Sequence, residues 1–163
     1  MLEINREAFA AAIAPLTQAR ETFAANSYRR GVALQEYMLG RALTGMGDHA
    51  RAIARLRGAE ALVYRDADPV THGRVLRRLG EAHRAAGRLN DAALVLGKAL
   101  EVMSAANAPF YVATALEVLA GVRGEQGARD LQRRELNAAL TVFAAMGSPR
   151  AAVIEDHLAA PGA

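Results

Sequence analysis

The residues of this chain best suited to acid–base or metal chemistry are four histidines, His49, His72, His83 and His157. Their spacing argues against both uses. No two form a His-x-x-x-His pair, which would turn two imidazoles to one helix face, and none sits beside a carboxylate at metal-ligand spacing. His83 follows Val75, Leu76 and Leu79 on an apolar helical face, so it reads as a core or half-buried packing residue. Glu155-Asp156-His157 has the residue types for proton transfer, but charged residues of a terminal helix are usually solvated. Gly121, Gly124 and Gly127 are dense enough to suggest a phosphate loop. No Lys-Ser or Lys-Thr follows them and no strand precedes them, so they read as helix breakers. With no cysteine and no serine nucleophile motif, the chain offers no covalent chemistry, and the expectation is a protein that is not an enzyme and carries no cofactor or metal.

What remains is charge. The formal net charge is +3, carried by arginine, since Lys98 is the sole lysine. Arginine and alanine in place of lysine suggest a GC-rich genome, which weakens the arginine count as a sign of nucleic-acid binding. Arg29-Arg30, Arg51/Arg55/Arg57, Arg74/Arg77/Arg78 and Arg133-Arg134 would have to share one face to follow a phosphate backbone. They are expected on opposite sides of the fold, and Tyr37, Tyr64 and Tyr111 are far apart for base stacking. A protein or peptide partner is therefore expected ahead of nucleic acid. No apolar run approaches the ~20 residues that span a bilayer, and the N-terminus lacks the pattern of a signal peptide, so the expectation is a cytoplasmic protein without membrane contact.

The elements that position these charges come from an internal repeat. At 163 residues the chain fits one domain. Aligned with itself at a shift of 40 residues (Gly47 to Gly87, Gly87 to Gly127), it matches along most of its length. Leu39-Gly40, Leu79-Gly80 and Leu119-Ala120 fall together, then Ala52, Ala92 and Gln132, then Leu56, Leu96 and Leu136, then Ala59, Ala99 and Ala139. Pro69, Pro109 and Pro149 keep the same beat, where proline at a first helical turn loses no hydrogen bond. Each unit reads as two antiparallel helices joined at a left-handed glycine, with Asp68, Ser148, Asp48 and Asn90 as helix N-caps. Small residues let the helices approach, and leucines fill the groove between them.

The set Leu76, Leu79-Gly80, His83, Ala92, Leu96 and Ala99 resembles the tetratricopeptide repeat pattern, and Leu39-Gly40, Leu43, Ala52, Leu56 and Ala59 repeat it. Glu36 stands where that family has a large apolar residue, and Arg123 and Gln132 make the third unit degenerate. The longer period is similar to the C-terminal repeat regions of actinobacterial transcription regulators of the antibiotic-regulatory-protein type. The resemblance implies an all-α, right-handed superhelical solenoid of antiparallel helix pairs, about eight helices in all. It also implies a sensor or protein-interaction role. The units fall at 28–67, 68–107 and 108–147, with capping helices at 1–27 and 148–158 and a tail at 159–163. Within the first cap, Asn5 is expected to start a helix stapled by Ile4 and Phe9, and Pro15 to break or kink it before a second segment.

In such a solenoid the first helix of each unit lines a concave groove. Spacing of three and four assigns to it Leu34, Tyr37, Arg41 and Thr44, then Arg74, Arg77, Arg78, Glu81 and Arg84, then Thr114, Glu117, Gly121 and Glu125. Guanidinium forks suit carboxylates, so a peptide with an acidic segment or a free C-terminus is the expected ligand, and reversal of Arg77 and Arg84 to glutamate is expected to abolish its binding. Against this stands the plainer reading of Arg74, Arg77 and Arg84 as a solvated face paired with Glu81. A homodimer through Ile154 and Leu158 of the last helix is the other partner considered.

Overall fold

The computed structural model describes residues 2–63 and 68–160, with the side chains of residues 2–5 outside that description. Tyr64, the first unit boundary at 67, most of the tail and the Ile4 staple lie outside it. The described residues form eight helices and no strand: α1 (Leu2–Ala25), α2 (Arg29–Met46), α3 (His49–Val63), α4 (Pro69–Ala85), α5 (Leu89–Ala105), α6 (Pro109–Glu125), α7 (Arg129–Ala145) and α8 (Arg150–Ala159). Each packs on the next in sequence, giving an all-α solenoid of antiparallel pairs.

The backbone keeps a beat half as long as the side-chain repeat. Left-handed residues stand at Ser27, Gly47, Gly87, Asn107, Gly127 and Gly147, and each interval is twenty residues or, from 47 to 87, twice that. Each closes its helix in the same double hydrogen bond. After α4, Gly87 N–H donates to the Arg84 carbonyl at 2.9 Å and Arg88 N–H to that of His83 at 2.9 Å, and after α5 Asn107 and Ala108 repeat this on Ser104 and Met103. Glycine adopts that conformation freely. Ser27 and Asn107 hold it at a cost of roughly 1–2 kcal/mol for a side chain, lowered for asparagine.

Asp68 and Asp48 cap as predicted, accepting the Thr71 and Arg51 amides at 3.0 and 3.3 Å. Asn90 does not: it lies inside α5 and accepts from the Gln126 side chain. Pro149 takes the cap position before α8, one residue beyond Ser148, whose hydroxyl accepts the Arg150 amide at 3.4 Å. The first cap is one helix rather than two, since α1 begins before Asn5 and runs unbroken through Pro15. Pro15 and Ala11 are both exposed, so the Ala11 carbonyl that loses its amide partner faces water. Nor do Gly121 and Gly124 break a helix; both lie inside α6.

The Leu-Gly pairs have a packing cause. A Cβ at Gly80 would come within 2.5 Å of Leu96 Cγ, and one at Gly40 would strike Leu56, so each glycine opens its helix to the leucine of the next. In the third unit Ala120 replaces the glycine, and Leu136 rides outward to 7% exposure where Leu56 and Leu96 have none. Gln132, buried where the other units have alanine, is accommodated by Gly124, whose Cβ would meet the amide nitrogen at 2.8 Å. Ile154 is buried with Phe143 and Leu136, and Leu158 packs on the same cluster, so neither offers the apolar face proposed for a homodimer.

Candidate binding groove

Successive units lean together on one side. Helix α2 touches α4 and α4 touches α6, whereas α3, α5 and α7 make no comparable contact with one another, so the first helices lie on the side where successive units lean together. On it the structure gathers Tyr37, Arg41, Arg74, Arg77, Arg78, Glu81 and Arg84, but it commits many of their charges. Glu81 accepts from Arg77 and, at 2.6 Å, from Arg78. Arg84 lies over Gly121, where any Cβ would clash with its guanidinium, and bridges to Glu125 at 2.7 Å. Glu117 pairs with Arg150 of α8 at 2.6 Å. Of the plainer reading, the Glu81 pairing holds for Arg77, which is mostly buried rather than solvated, while Arg84 pairs instead with Glu125 of the next unit.

Tyr37 is the hub. It is buried, its hydroxyl accepts from Arg78 Nε at 3.4 Å, and the Arg41 guanidinium lies 6.0 Å from its ring centre. Burial works to raise its phenol, yet the hydrogen bond from Arg78 and the fields of Arg78, Arg74 and Arg41 outweigh this and hold it below the ordinary value of 10.0. Arg74 stacks over Tyr111 of the next unit at 5.8 Å. Thr114 leaves the site: it is buried and its hydroxyl donates to the Tyr111 carbonyl at 2.8 Å, so it cannot face a ligand.

Two hollows remain on this face. One of about 190 Å³ is walled by Ala33, Leu34, Tyr37, Val63 and Val75, with Arg30, Arg74, Asp68 and Thr71 at its edge. Among the described residues neither Arg30 nor Arg74 is bonded to a carboxylate, though Asp68 at the same edge feels the charge of Arg30, and Arg30 was not among the predicted site residues. The other, about 210 Å³, lies between Phe9, Arg41, Leu56, Arg78 and Glu81.

Elsewhere the sequence reading missed a charge cluster. Glu36 is buried on α2 and accepts from Arg20 of α1 and from Arg55 of α3 at 3.3 Å. Its one signal was a carboxylate in an apolar register. Arg51 is likewise held by Asp48 at 3.1 Å. Among the described residues no group of three histidines and carboxylates could hold a metal. No helix there is long and apolar enough to cross a membrane.

No protein-family model matches the chain, and no curated protein does. Among solved structures it is similar to the crystal structure of BtubC (BKLC) from P. vanneervenii, with a TM-score of 0.79 at 21% identity over 93% of this chain. The chain spans 64% of that protein's length. This is a likeness of fold.

Proposed function

We propose that this chain is a non-catalytic, tetratricopeptide-type binding module, the cytoplasmic sensor or interaction region of a bacterial transcription regulator. Its inner groove takes a peptide that presents a carboxylate, from an acidic side chain or a free C-terminus. The observation that carries this is the hollow between α2 and α4. It combines apolar walls, Ala33, Leu34, Val63 and Val75, with two guanidinium groups that form no ion pair among the described residues, Arg74 and Arg30, the latter sharing its edge with the Asp68 carboxylate. Apolar walls with a few convergent polar groups suit a ligand of mixed character. Arginine forks select carboxylate for its planar pair of acceptors. Buried Tyr37, braced by Arg78, gives the hollow a rigid floor.

The charge-reversal test moves accordingly from Arg77 and Arg84 to Arg30 and Arg74. Fluorescent pools of acidic octapeptides, with free or amidated C-termini, are titrated against the native chain and R30E/R74E. The native chain is expected to bind the acidic pools, and the variant to lose at least about tenfold in affinity, ~1.4 kcal/mol, with unchanged helicity. Equal affinity in the variant, or binding of nucleic acid at low salt with no peptide pool bound, would remove the groove assignment.

A further inference from the structure

The opposite side of the same repeat carries a second hollow that the groove reading does not use. Where α3 and α5 diverge over α4, a pocket of about 250 Å³ opens between Arg57 and Glu60 of α3, Leu76, Leu79 and His83 of α4, and Asp91, Leu94, Val95 and Lys98 of α5. Its volume lies below the ~300–1,000 Å³ of drug-sized sites and suits one small metabolite.

Three features point to a ligand. His83 is 1% exposed, and its Nδ1 is buried without a hydrogen-bond partner; the Asp91 carboxylate stands off at 3.8 Å. A neutral imidazole nitrogen left unpaired in a core is costly, and protein interiors rarely tolerate it. Arg57 and Lys98 are exposed and make no ion pair among the described residues, although Asp91 and Glu60, the latter 4.0 Å from His72, share the same mouth. Finally, Leu94, 63% exposed at the rim, supplies an apolar surface beside these charges.

We propose that this outer pocket binds a free amino acid with a branched aliphatic side chain, held as its zwitterion. Two cations and two carboxylates line one small mouth, so the charge-complementary guest carries one charge of each sign. Its carboxylate lies toward Arg57 and Lys98, and its ammonium toward Asp91 and Glu60. His83 Nδ1 accepts a hydrogen bond from that ammonium, which supplies its missing partner. The aliphatic body rests on Leu76, Leu79, Leu94 and Val95. His83 suits this task because burial lowers its basicity further than Asp91 restores it, keeping the ring neutral and Nδ1 free to accept.

The test is a titration of the full chain with L-leucine, followed in ¹H–¹⁵N spectra. Three analogues each remove one feature: 4-methylpentanoate lacks the ammonium, isopentylamine lacks the carboxylate, and glycine lacks the body. Leucine is expected to shift the resonances around Arg57, His83, Asp91 and Lys98 at millimolar concentration or below, with each analogue at least about tenfold weaker. Asp91→Asn and Lys98→Met, both exposed and tolerable to the fold, should weaken leucine by a similar factor. The proposal is overturned if leucine leaves these resonances unmoved, if 4-methylpentanoate binds as well as leucine, or if both variants bind leucine like the native chain. None of these outcomes touches the peptide groove, which is read with different variants.

Discussion

Replacing Glu36 with glutamine tests whether a buried charge fastens the first helix to the stack. The carboxylate is 7% exposed and ties Arg20 of α1 to Arg55 of α3, while α1 otherwise packs chiefly on α2. Glutamine keeps the shape and removes the charge. Each charged hydrogen bond is worth about 1.5–3 kcal/mol, and breaking a fully buried pair costs about 3–5. Here both arginines are about one-third exposed and can return to water, which sets the loss near the lower end, about 2 kcal/mol. For a domain of this size that is a fall in Tm of roughly 4–8 °C. Urea unfolding gives the free energy, and amide exchange along α1 gives its location, where protection should drop first. Replacing all three partners together, R20M/E36L/R55M, should return stability to native or better, since an apolar set avoids the desolvation of three charges. A Glu36→Gln variant within about 0.5 kcal/mol of native, with α1 still protected, would refute the reasoning.

Two further outcomes follow from named contacts. Burial holds the His83 imidazole below 6.5, with Asp91 opposing and Arg57 and Arg88 adding to the drop. The unfolded chain therefore takes up the proton first as pH falls. Stability should be level above about pH 6.5 and decline below it until the folded ring also titrates. Thermal melts of the native chain and His83→Phe between pH ~8 and ~5 should differ in that slope, and identical slopes would remove His83 as its source. In the third unit, Gly124→Ala should destabilise by about 1 kcal/mol despite its better helix propensity, because its Cβ meets Gln132. Adding Gln132→Ala, which restores the small residue of Ala52 and Ala92, should reverse the sign. A double-mutant cycle with coupling below about 0.5 kcal/mol would show that the two sites are independent.

The helix pairs were legible because the residues that mark them are physically obligatory. A left-handed turn asks for glycine at Gly47, Gly87 and Gly127, and close helix approach asks for Gly40, Gly80, Ala52 and Ala92. The twenty-residue beat stayed hidden because Ser27 and Asn107 hold the same backbone without glycine. Pro15 misled because the rule against proline inside a helix assumes a carbonyl with no access to water. The outer pocket had no sequence mark, since Glu60, His83 and Lys98 come from three helices whose relative placement no single-helix pattern records.

The groove residues were found on the right helices, yet their state depended on how one unit sits against the next, and the contacts show the rule. Arg78 reaches Tyr37, and Arg84 reaches Glu125, each across 41 positions. Arg74 stacks on Tyr111 and also acts on Tyr37, while Arg84 covers Gly121, each across 37 (111 − 74, 74 − 37 and 121 − 84). The repeat is 40, so an inner-face residue faces positions one repeat on, displaced by minus three and plus one. Those two positions lie four apart, one helical turn, and form the groove between successive side chains into which a neighbouring ridge packs. Tyr37 therefore sits between Arg74 and Arg78, and Arg84 between Gly121 and Glu125. The same register sets Thr114 and Val118 opposite Arg77, which accounts for a threonine that helical spacing assigned to the ligand and packing withdrew from it. Arg30 projects one repeat on to 71, and Thr71 does line its hollow. Arg84 is committed to the Glu125 it faces and Arg77 to Glu81 of its own helix, whereas Arg74 faces Tyr111 and Ala115 and bonds to no carboxylate among the described residues, which leaves its charge to offer a partner.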